Sequence, residues 1–437
     1  MSWVARVRAV VVDADDRVLL LDEGDGHALP RVEVEFTDEE LPAIRAALAE
    51  LVGVDAIALR SIERSVDEER KILDVALEVE PLEVSPTSAS QLVWRSAADS
   101  EALSLTESDR SLLELHRAGR PPPERPQWAR RGWFAEASAW IHEVLGECGR
   151  SAVGPVEQIS NWCISSILRT ETEVGTAYFK ATARSPLFVD EGTVTRGLAE
   201  MFPGRVPRPI AVEPERRWML LDDFGPVVGW KANLETRVAV LAAFARMQRE
   251  ASSRQDELLA LGVLDRRPEW LASEIESLLS SPEALGLDDA EAEGLAARAS
   301  WFGEACERLA AGAVPDSLVH GDLHLANVAG TSEQFVFFDW SDACLTHPFL
   351  DLLVVLFEED RELQRSLRDA YLGVWAEVAP QQHLLELWGL AEPLACLNQV
   401  ISYSSIMASV EHGSAPELSS MPAYWLRKAL ASADKRP

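Results

Sequence analysis

Residues 319–352 read VHGDLHLANVAGTSEQFVFFDWSDACLTHPFLDL, and the interpretation of the whole chain starts from this stretch. Asp322 follows a His-Gly pair, Asn327 comes five residues later, and an apolar run leads to a second carboxylate, Asp339. Phosphoryl transfer needs a carboxylate that orients an attacking hydroxyl, and a carboxamide and another carboxylate that hold Mg²⁺ on the nucleotide phosphates. The stretch therefore predicts a kinase active site rather than an Asp/His-rich turn between two buried strands.

The HGDLH motif, the spacing to Asn327 and the FDW motif resemble the catalytic core of the aminoglycoside phosphotransferase and choline kinase-like family of small-molecule kinases. The resemblance implies an α+β, protein-kinase-like bilobal fold, with a β-rich N-lobe and a mainly α C-lobe, and the cofactors ATP and Mg²⁺. It also implies that Asp322 is the catalytic base and that Asn327 and Asp339 are the magnesium ligands. Gly321 stands where protein kinases carry the arginine of HRD, which favours a constitutive small-molecule kinase.

A lysine upstream of this motif is predicted to grip the nucleotide. The chain holds five lysines, and Lys180 alone lies in an apolar, strand-like run. An unpaired lysine in such a strand costs free energy, which favours contact of its ammonium group with the α- and β-phosphates over a surface position on an edge strand. Glu191, at the start of the next predicted helix, is the preferred partner for Lys180, and Glu200 is the second choice.

Two further segments are predicted to contact the nucleotide. The turn that would cover the phosphates contains Ser160 and Asn161 but no glycine, so backbone and Ser/Asn contacts must provide the grip. By the same resemblance, the hinge strand between the lobes includes Leu220, Leu221 and Asp222, whose backbone groups would face the adenine edge. ATP is the expected nucleotide, and GTP stays open because a sequence does not give the geometry of the hinge backbone.

Residues 1–118 are predicted to form a separate small α/β domain. Residues 4–22 predict a β-hairpin, and a helix is predicted from an N-cap at Thr37 to Gly53. This order resembles a Nudix domain. Only Glu50 and the terminal Gly-Val pair fit the metal-binding Nudix box, and one carboxylate cannot hold a divalent metal that several normally share. We therefore expect a catalytically silent domain that caps the kinase or holds a partner.

Residues 119–126 hold four prolines and are the clearest domain boundary, because proline does not fit a helix interior or a central strand. Residues 127–224 are then predicted to form the kinase N-lobe, led by an aromatic helix at 131–147, and residues 225–437 the C-lobe with the catalytic loop. The C-lobe helices are predicted at 234–250, 268–280, 289–311, 361–378, 383–412 and 421–433.

The composition indicates which kinds of partner and which cellular compartment to expect. The net charge is −31, from 72 acidic against 41 basic residues, and no basic run offers a footprint for nucleic acid. No apolar run approaches the ~20 residues of a membrane span. Five scattered cysteines without CxxC spacing favour free thiols over disulfides or zinc. We therefore expect a soluble, cytoplasmic protein with no nucleic-acid or membrane partner, and the sequence leaves its oligomeric state open.

The acceptor of the phosphoryl group is predicted to be a small molecule, such as an aminoglycoside-like antibiotic, an amino sugar or a sugar, and whether it is cationic stays open. The negative charge of the chain favours a cation by electrostatic attraction. Residues 357–360 and 403–412, with Glu411, are candidates to line its pocket, although acidic runs on helices are also typical of solvated faces.

Two residues in or near the motif are expected to support the catalytic loop, and two other functions for the protein are considered. His324 is expected to pack on or hydrogen-bond to the catalytic loop rather than to bind a metal, and Asp351 to accept from backbone donors at a helix start. A nucleotide-binding pseudokinase or scaffold protein remains an alternative. A Nudix-type hydrolase that carries an inactive kinase domain is disfavoured, because the kinase motif is complete and the Nudix box is not.

Overall fold

The computed structural model describes residues 3–24, 26–37, 39–84, 92–96, 104–117, 125–279, 287–331, 334–351, 353–411 and 418–433. The chain divides into two compact units, residues 1–183 with 410–416 and residues 184–409 with 417–437. Residues 119–124 of the predicted proline-rich linker lie outside the described residues. None of the helices in the described ranges has the length and apolarity that crossing a bilayer requires.

The first unit opens with an α/β region, residues 3–117, which we call the N-terminal domain. Its strands are β1 (Val4–Val11), β2 (Arg17–Asp22), β3 (His27–Ala28), β4 (Arg31–Glu35), β5 (Val54–Asp67), β6 (Ile72–Val84) and β7 (Leu92–Ser96). Its helices are α1 (Glu40–Val52) and α2 (Glu107–Arg117). The strands form one sheet in the order β4-β1-β6-β5, with β1 parallel to β6, and a second in the order β3-β2-β7.

Alternating side chains on β1 build the core of this domain. Ala5, Val7 and Ala9 are buried on one face of the strand, because successive side chains of a strand point to opposite faces. Ile44 and Leu48 lie four residues apart on α1 and join the same apolar cluster. The predicted helix therefore forms because its apolar stripe covers the buried face of this sheet.

The N-terminal domain differs from expectation at two points. Strands β1 and β2 lie in separate sheets rather than pairing along their length as a hairpin, because β4 and β6 already occupy both edges of β1. The chain turns between them at the antiparallel Val12–Val18 bridge, where the Asp13 amide donates to the Arg17 carbonyl at 3.0 Å. Thr37 is not the N-cap of α1: Glu39 holds that position, and Thr37 Oγ1 accepts from the Glu39 amide at 3.3 Å. Gly53 ends the helix as predicted, in the left-handed region with φ of 62°.

The first unit continues with α3 (Trp133–Glu147) and an antiparallel meander of β8 (Glu157–Asn161), β9 (Ser165–Thr172) and β10 (Gly175–Thr182). The aromatic stripe of α3 packs inward, since the rings of Trp133 and Trp140 lie 6.0 and 5.7 Å from the ring of Phe179 on β10. This confirms that the aromatic spacing marks a core helix.

The second unit is mainly helical. Its helices are α4 (Glu191–Met201), α5 (Leu234–Ala251), α6 (Gln255–Ala260), α7 (Pro268–Leu279), α8 (Asp289–Ala297), α9 (Ala299–Ala310), α10 (Leu353–Leu356), α11 (Arg361–Val374), α12 (Gln381–Ser409) and α13 (Met421–Ala433). Its strands are β11 (Pro209–Glu213), β12 (Trp218–Asp222), β13 (Leu264–Asp265), β14 (Ser317–Val319), β15 (Val328–Thr331), β16 (Gln334–Phe337) and β17 (Cys344–Thr346). The helix predicted over 289–311 is broken, because the chain leaves helical geometry at Arg298, where φ is −106° and ψ is 2°.

A single apolar cluster holds the second unit together. Phe244 of α5, Phe337 of β16 and Trp340 belong to it, with Phe244 centred 5.0 Å from Phe337 and 6.4 Å from Trp340. The HGD and FDW motifs directly follow β14 and β16, and the buried rings of Phe337 and Trp340 anchor the second motif in this cluster. All five cysteines are free thiols, and only Cys148 is exposed.

Candidate active site

The β15–β16 hairpin brings the two predicted metal ligands to the same end of a small sheet. Val328 pairs with Phe337 as the last residue pair of the hairpin, and the Phe338 amide donates to the Asn327 carbonyl at 3.1 Å just beyond it. Asn327 therefore ends one side of the hairpin, and Asp339 follows Phe338 on the other. A separation of twelve residues in the sequence becomes a short distance because the chain reverses between them.

Asn327 also links the catalytic loop to the hairpin. Its Nδ2 donates to the Asp322 carbonyl oxygen at 3.0 Å and to Asp322 Oδ2 at 3.3 Å. In the described part of the chain no group donates to Asn327 Oδ1, so this oxygen is left for a ligand. The carboxamide can thus orient the Asp322 carboxylate with its amino group and bind a cation with its carbonyl oxygen.

Asp339 holds a backbone conformation that side chains other than glycine rarely adopt. Its φ is 68°, in the left-handed region. Ser341 Oγ donates to Asp339 Oδ1 at 3.1 Å and fixes the orientation of the carboxylate. Non-glycine residues in this region cost free energy and occur often at functional sites, which agrees with the predicted role of Asp339.

Two buried polar side chains, His320 and Asp351, form hydrogen bonds with backbone groups in and beside the catalytic loop. His320 Nε2 shares a hydrogen bond of 2.8 Å with the Phe338 carbonyl, and its ring lies 4.5 Å from that of Trp340. Asp351 Oδ2 accepts from the His320 amide at 2.5 Å. Burial raises the pKa of Asp351 to about 7, although backbone donors of the catalytic loop oppose that shift. Asp351 accepts from backbone amides, as expected, but these belong to His320, Gly321 and Leu323 of the catalytic loop rather than to a helix start.

Gly321 is required by the geometry of this loop. Its φ is +83°, and a Cβ built there would lie 2.5 Å from the Asp342 carbonyl oxygen and 2.7 Å from Asp342 Cβ. Its carbonyl oxygen accepts from Gln399 Nε2 of α12 at 2.8 Å. The glycine that replaces the arginine of HRD is therefore fixed by steric contact as well as by backbone conformation.

His324 contacts the predicted base, as the sequence indicates. Its Nε2 lies 3.5 Å from Asp322 Oδ2. Burial lowers the pKa of His324, but the hydrogen bond and charge of Asp322 and the charge of Asp339 outweigh it, so the pKa is raised above the ordinary histidine value. The ring of Trp230, which is 57% exposed, lies 4.9 Å from the His324 ring. Trp230 was not identified from the sequence, because it is remote from the motif and follows no pattern.

The predicted nucleotide residues fall in both units. Lys180 lies on β10 opposite Ile167 of β9 and is partly buried. Glu191 is the first residue of α4 and is 1% exposed, whereas the second choice, Glu200, is exposed. The burial of its carboxylate favours Glu191 as a partner for a cation, and the pairing with Lys180 stays a prediction.

The hinge and turn residues have clear local positions. Leu220 and Leu221 are buried in β12, and Asp222 ends that strand exposed to solvent. The Ser160 carbonyl accepts from Ser166 Oγ at 3.2 Å. The Asn161 amino group donates to the carbonyls of Ala58 and Leu59, both at 2.9 Å, and so contacts the N-terminal domain. The predicted nucleotide contacts of these residues remain predictions.

The part of the chain that matches a known family contains this site. Residues 179–383 match the model described as the phosphotransferase enzyme family, a range that contains Lys180, Glu191, Asp322, Asn327 and Asp339. Over this region the chain is similar to the phosphotransferase enzyme family. The protein is accordingly a small-molecule phosphotransferase, as the motif predicted. No curated protein matches the chain.

Solved structures of other proteins resemble parts of this chain, and the one with the higher TM-score supports the fold. A GDP complex of a point mutant of aminoglycoside 2'-phosphotransferase-IIIa aligns with a TM-score of 0.50 and 13% identity, over 67% of this chain and 97% of that one. A choline/ethanolamine kinase family protein from Mesorhizobium loti aligns with a TM-score of 0.47 and 16% identity, over 69% and 99% of the two chains. The predicted α+β, protein-kinase-like fold is confirmed.

The ligand set of this phosphotransferase suits a hard cation. Mg²⁺ prefers oxygen ligands and keeps several waters, so it is bound through few protein groups together with substrate phosphates. Asn327 Oδ1 and the Asp339 carboxylate supply oxygen at one end of the hairpin. Among the described residues no group of three or more His, Cys, Asp or Glu side chains is arranged to hold a metal. The residues present therefore fit a magnesium ion carried by a nucleotide.

Proposed function

We propose that the protein is an ATP-dependent O-phosphotransferase that uses Mg²⁺ and acts on a hydroxyl group of a small molecule. The observation that supports this most directly is the position of Asp322 beside Asn327, with Asp339 at the same end of the β15–β16 hairpin. GTP is the second candidate nucleotide.

The proposed reaction transfers the γ-phosphoryl group to the acceptor. The hydroxyl oxygen forms a bond to the γ-phosphorus, the bond from that phosphorus to the bridging oxygen breaks, and the hydroxyl proton passes to the Asp322 carboxylate. Asn327 and Asp339 would hold Mg²⁺, which neutralises charge on the phosphates. Asn327 also orients the base, since its amino group donates to Asp322 Oδ2. Most of the rate enhancement comes from positioning and charge neutralisation.

The acidic residues that the sequence suggests as contacts for a cationic acceptor have structural partners. Glu358 forms an ion pair of 2.7 Å with Arg237 and accepts from the Asp360 amide at 2.9 Å. Asp360 caps α11 by accepting from the Glu362 amide at 2.8 Å. Glu411 pairs with Arg125 at 2.6 Å. These contacts weaken the argument that the run 357–360 and Glu411 recognise a cation.

An exposed aromatic surface beside the catalytic loop supports a different acceptor. We call Trp230, Phe357 and Tyr424 the aromatic surface; they are 57%, 36% and 42% exposed. Trp230 lies against His324, and its ring is 5.8 Å from that of Phe357. The Lys428 ammonium already lies over the rings of Phe357 and Tyr424, at 5.9 and 5.6 Å. The site thus favours an acceptor with an apolar ring face over one that depends on cation–π contact.

The experiment that tests the function is nucleotide consumption by the wild type and Asp322→Asn with Mg²⁺ and pooled acceptors. The pools are polycationic aminoglycosides, neutral sugars, amino alcohols, and hydroxyl compounds with an apolar ring. We expect one pool to stimulate ATP or GTP consumption in the wild type and a loss of about 10²- to 10⁴-fold in the variant, the range for a general base. Asp256→Asn, on an exposed position of α6, is the matched control.

Three outcomes separate the alternatives. Equal consumption in the wild type and Asp322→Asn would remove Asp322 as the base. ATP binding without turnover in any pool would favour the pseudokinase or scaffold protein. Hydrolysis of free nucleotides that survives Asp322→Asn would favour a Nudix-type hydrolase.

A further inference from the structure

The turn between β8 and β9 is held by residues outside the meander that contains it. We call residues 161–165 the β8–β9 turn. Its Trp162 carbonyl accepts from Trp128 Nε1 at 2.7 Å, and its Ile164 carbonyl accepts from the Ala183 amide at 2.8 Å. No residue of the turn is glycine, and none has a positive φ. The turn therefore lacks the conformational freedom of a glycine-rich loop and has a fixed shape.

Two carboxamide side chains connect this turn and its strand to the N-terminal domain. Gln158 is 4% exposed, and its side chain both accepts from the Ala58 amide and donates to the Ala58 carbonyl at 2.9 Å. Asn161 donates to the carbonyls of Ala58 and Leu59 at the same distance. The bonds join residues 100 or more positions apart in the sequence.

These bonds lie on an edge of the N-terminal sheet. Strand β5 is the last strand in the order β4-β1-β6-β5, so its outer backbone groups have no neighbouring strand within that sheet. An edge strand presents unpaired N–H and C=O groups, and buried groups of this kind need partners. Gln158 and Asn161 supply those partners. The domain and the turn are thus joined through backbone atoms, which substitutions in β5 side chains would leave in place.

Ion pairs of Arg169 form a second connection between the meander and the N-terminal domain. Arg169, on β9, contacts Glu39 beside α1 and Glu157 on β8, both at 3.0 Å. The helix that the Nudix resemblance would assign to metal binding therefore lies at the contact with β8 and β9. Its remaining box carboxylate, Glu50, is exposed. The geometry assigns this side of the N-terminal domain to contact with the meander.

We propose that the N-terminal domain holds the β8–β9 turn in the conformation that covers the nucleotide phosphates, and that Gln158 and Asn161 are positioning residues. The inference rests on the proposed function and on the prediction, made from the sequence, that this turn covers the phosphates. If the turn is already ordered before the nucleotide binds, binding does not carry the entropic cost of ordering it. The domain thus replaces the mobile glycine-rich loop of other kinases with a preformed one.

The test compares full-length Asn161→Ala and Trp128→Phe with a control variant. Asn161→Ala removes the bonds that the turn donates to the Ala58 and Leu59 carbonyls, and Trp128→Phe removes the bond that the Trp162 carbonyl accepts. We expect amide hydrogen exchange within residues 162–165 to accelerate, and the Kd for ATP·Mg²⁺ to rise roughly 3- to 10-fold, the size expected from one or two lost hydrogen bonds. We expect kcat at saturating ATP to change less than Kd.

Arg131→Gln is the control, because Arg131 ties the N-terminal domain through the Asp13 carbonyl at 2.8 Å and Asp16 at 3.0 Å without touching the turn. We expect it to lower the melting temperature while turn exchange and ATP affinity stay at wild-type values. The proposal is overturned if Asn161→Ala lowers the melting temperature but matches Arg131→Gln in turn exchange and ATP affinity.

The exchange measurement separates this proposal from the proposed function. A wild type that binds no nucleotide contradicts the kinase assignment itself. Unchanged exchange of the turn in both Asn161→Ala and Trp128→Phe contradicts the positioning role, whatever the nucleotide affinity is.

Discussion

The catalytic segment, residues 317–351, and the N-terminal domain both bury polar side chains, but they use them differently. In the catalytic segment, Asp351 holds the backbone of the loop, and Asn327 keeps a carbonyl oxygen free of donors within the described residues. In the N-terminal domain, Glu78 contacts both Arg60 at 2.8 Å and His116 at 3.4 Å. The first arrangement fixes a backbone around atoms that are left for ligands, whereas the second neutralises charge inside a folded domain. Burial of polar groups alone therefore does not identify a functional site.

After Asp322→Asn, the largest expected effect comes from Asp339→Asn in the catalytic segment. The substitution keeps the size of the side chain but removes the charge, so we expect kcat to fall about 10²- to 10³-fold and the Mg²⁺ concentration for half-maximal activity to rise. Titration of activity with Mg²⁺ measures both. Asp369→Asn, at an ion-paired surface position of α11, serves as the control. An unchanged Mg²⁺ requirement would show that Asp339 is not a metal ligand.

The matching substitution in the N-terminal domain is Glu78→Gln, which should affect stability. Burial opposes ionisation, but His116 and Arg60 outweigh it and lower the pKa of Glu78 to about 2. Removing one partner of a buried ion pair costs about 3 kcal/mol at pH 7. The unfolded chain binds more protons than the folded one between pH 4.5 and pH 2, so the stabilisation from Glu78 is lost as the pH falls through this window.

Urea denaturation of the wild type and Glu78→Gln from pH 7 to pH 2 measures this dependence. The difference between the two should be largest near neutral pH and should shrink below pH 4.5. Glu33→Gln, in an exposed pair with Arg6, should change stability by less than about 1 kcal/mol. A constant difference at every pH would mean that the charge of Glu78 contributes nothing.

The smallest expected effect concerns the aromatic surface. Trp230→Ala should raise KM for the acceptor roughly 10-fold, in the range for loss of a well-packed aromatic contact, while Trp230→Phe should keep most of the affinity. The KM for ATP should stay constant in both. Leu385→Ala, at an exposed apolar position of α12, is the control. Equal acceptor KM values in Trp230→Ala and Leu385→Ala would exclude this surface from acceptor binding.

The sequence predicts those features that depend on short spacings. Asp322, Asn327 and Asp339 lie within one loop and one hairpin, so their order along the chain is enough to place them together. Helices α3 and α13 follow from local apolar periodicity. The roles of Asp351, Trp230 and Asn161 were missed or placed elsewhere, because each depends on a contact with a residue 31 or more positions away. Such contacts arise from packing, which a local pattern does not contain.

The conformation of Gly321 limits how this chain could become regulated by phosphorylation. In protein kinases the arginine at this position contacts a phosphorylated activation loop, and acquiring it here would take one substitution at Gly321. Any side chain at 321 would meet the Asp342 carbonyl oxygen at 2.5 Å and would also have to adopt a φ of +83°. The backbone near Asp342 would have to change first. One substitution at Gly321 therefore does not provide this chain with the arginine through which protein kinases respond to phosphorylation.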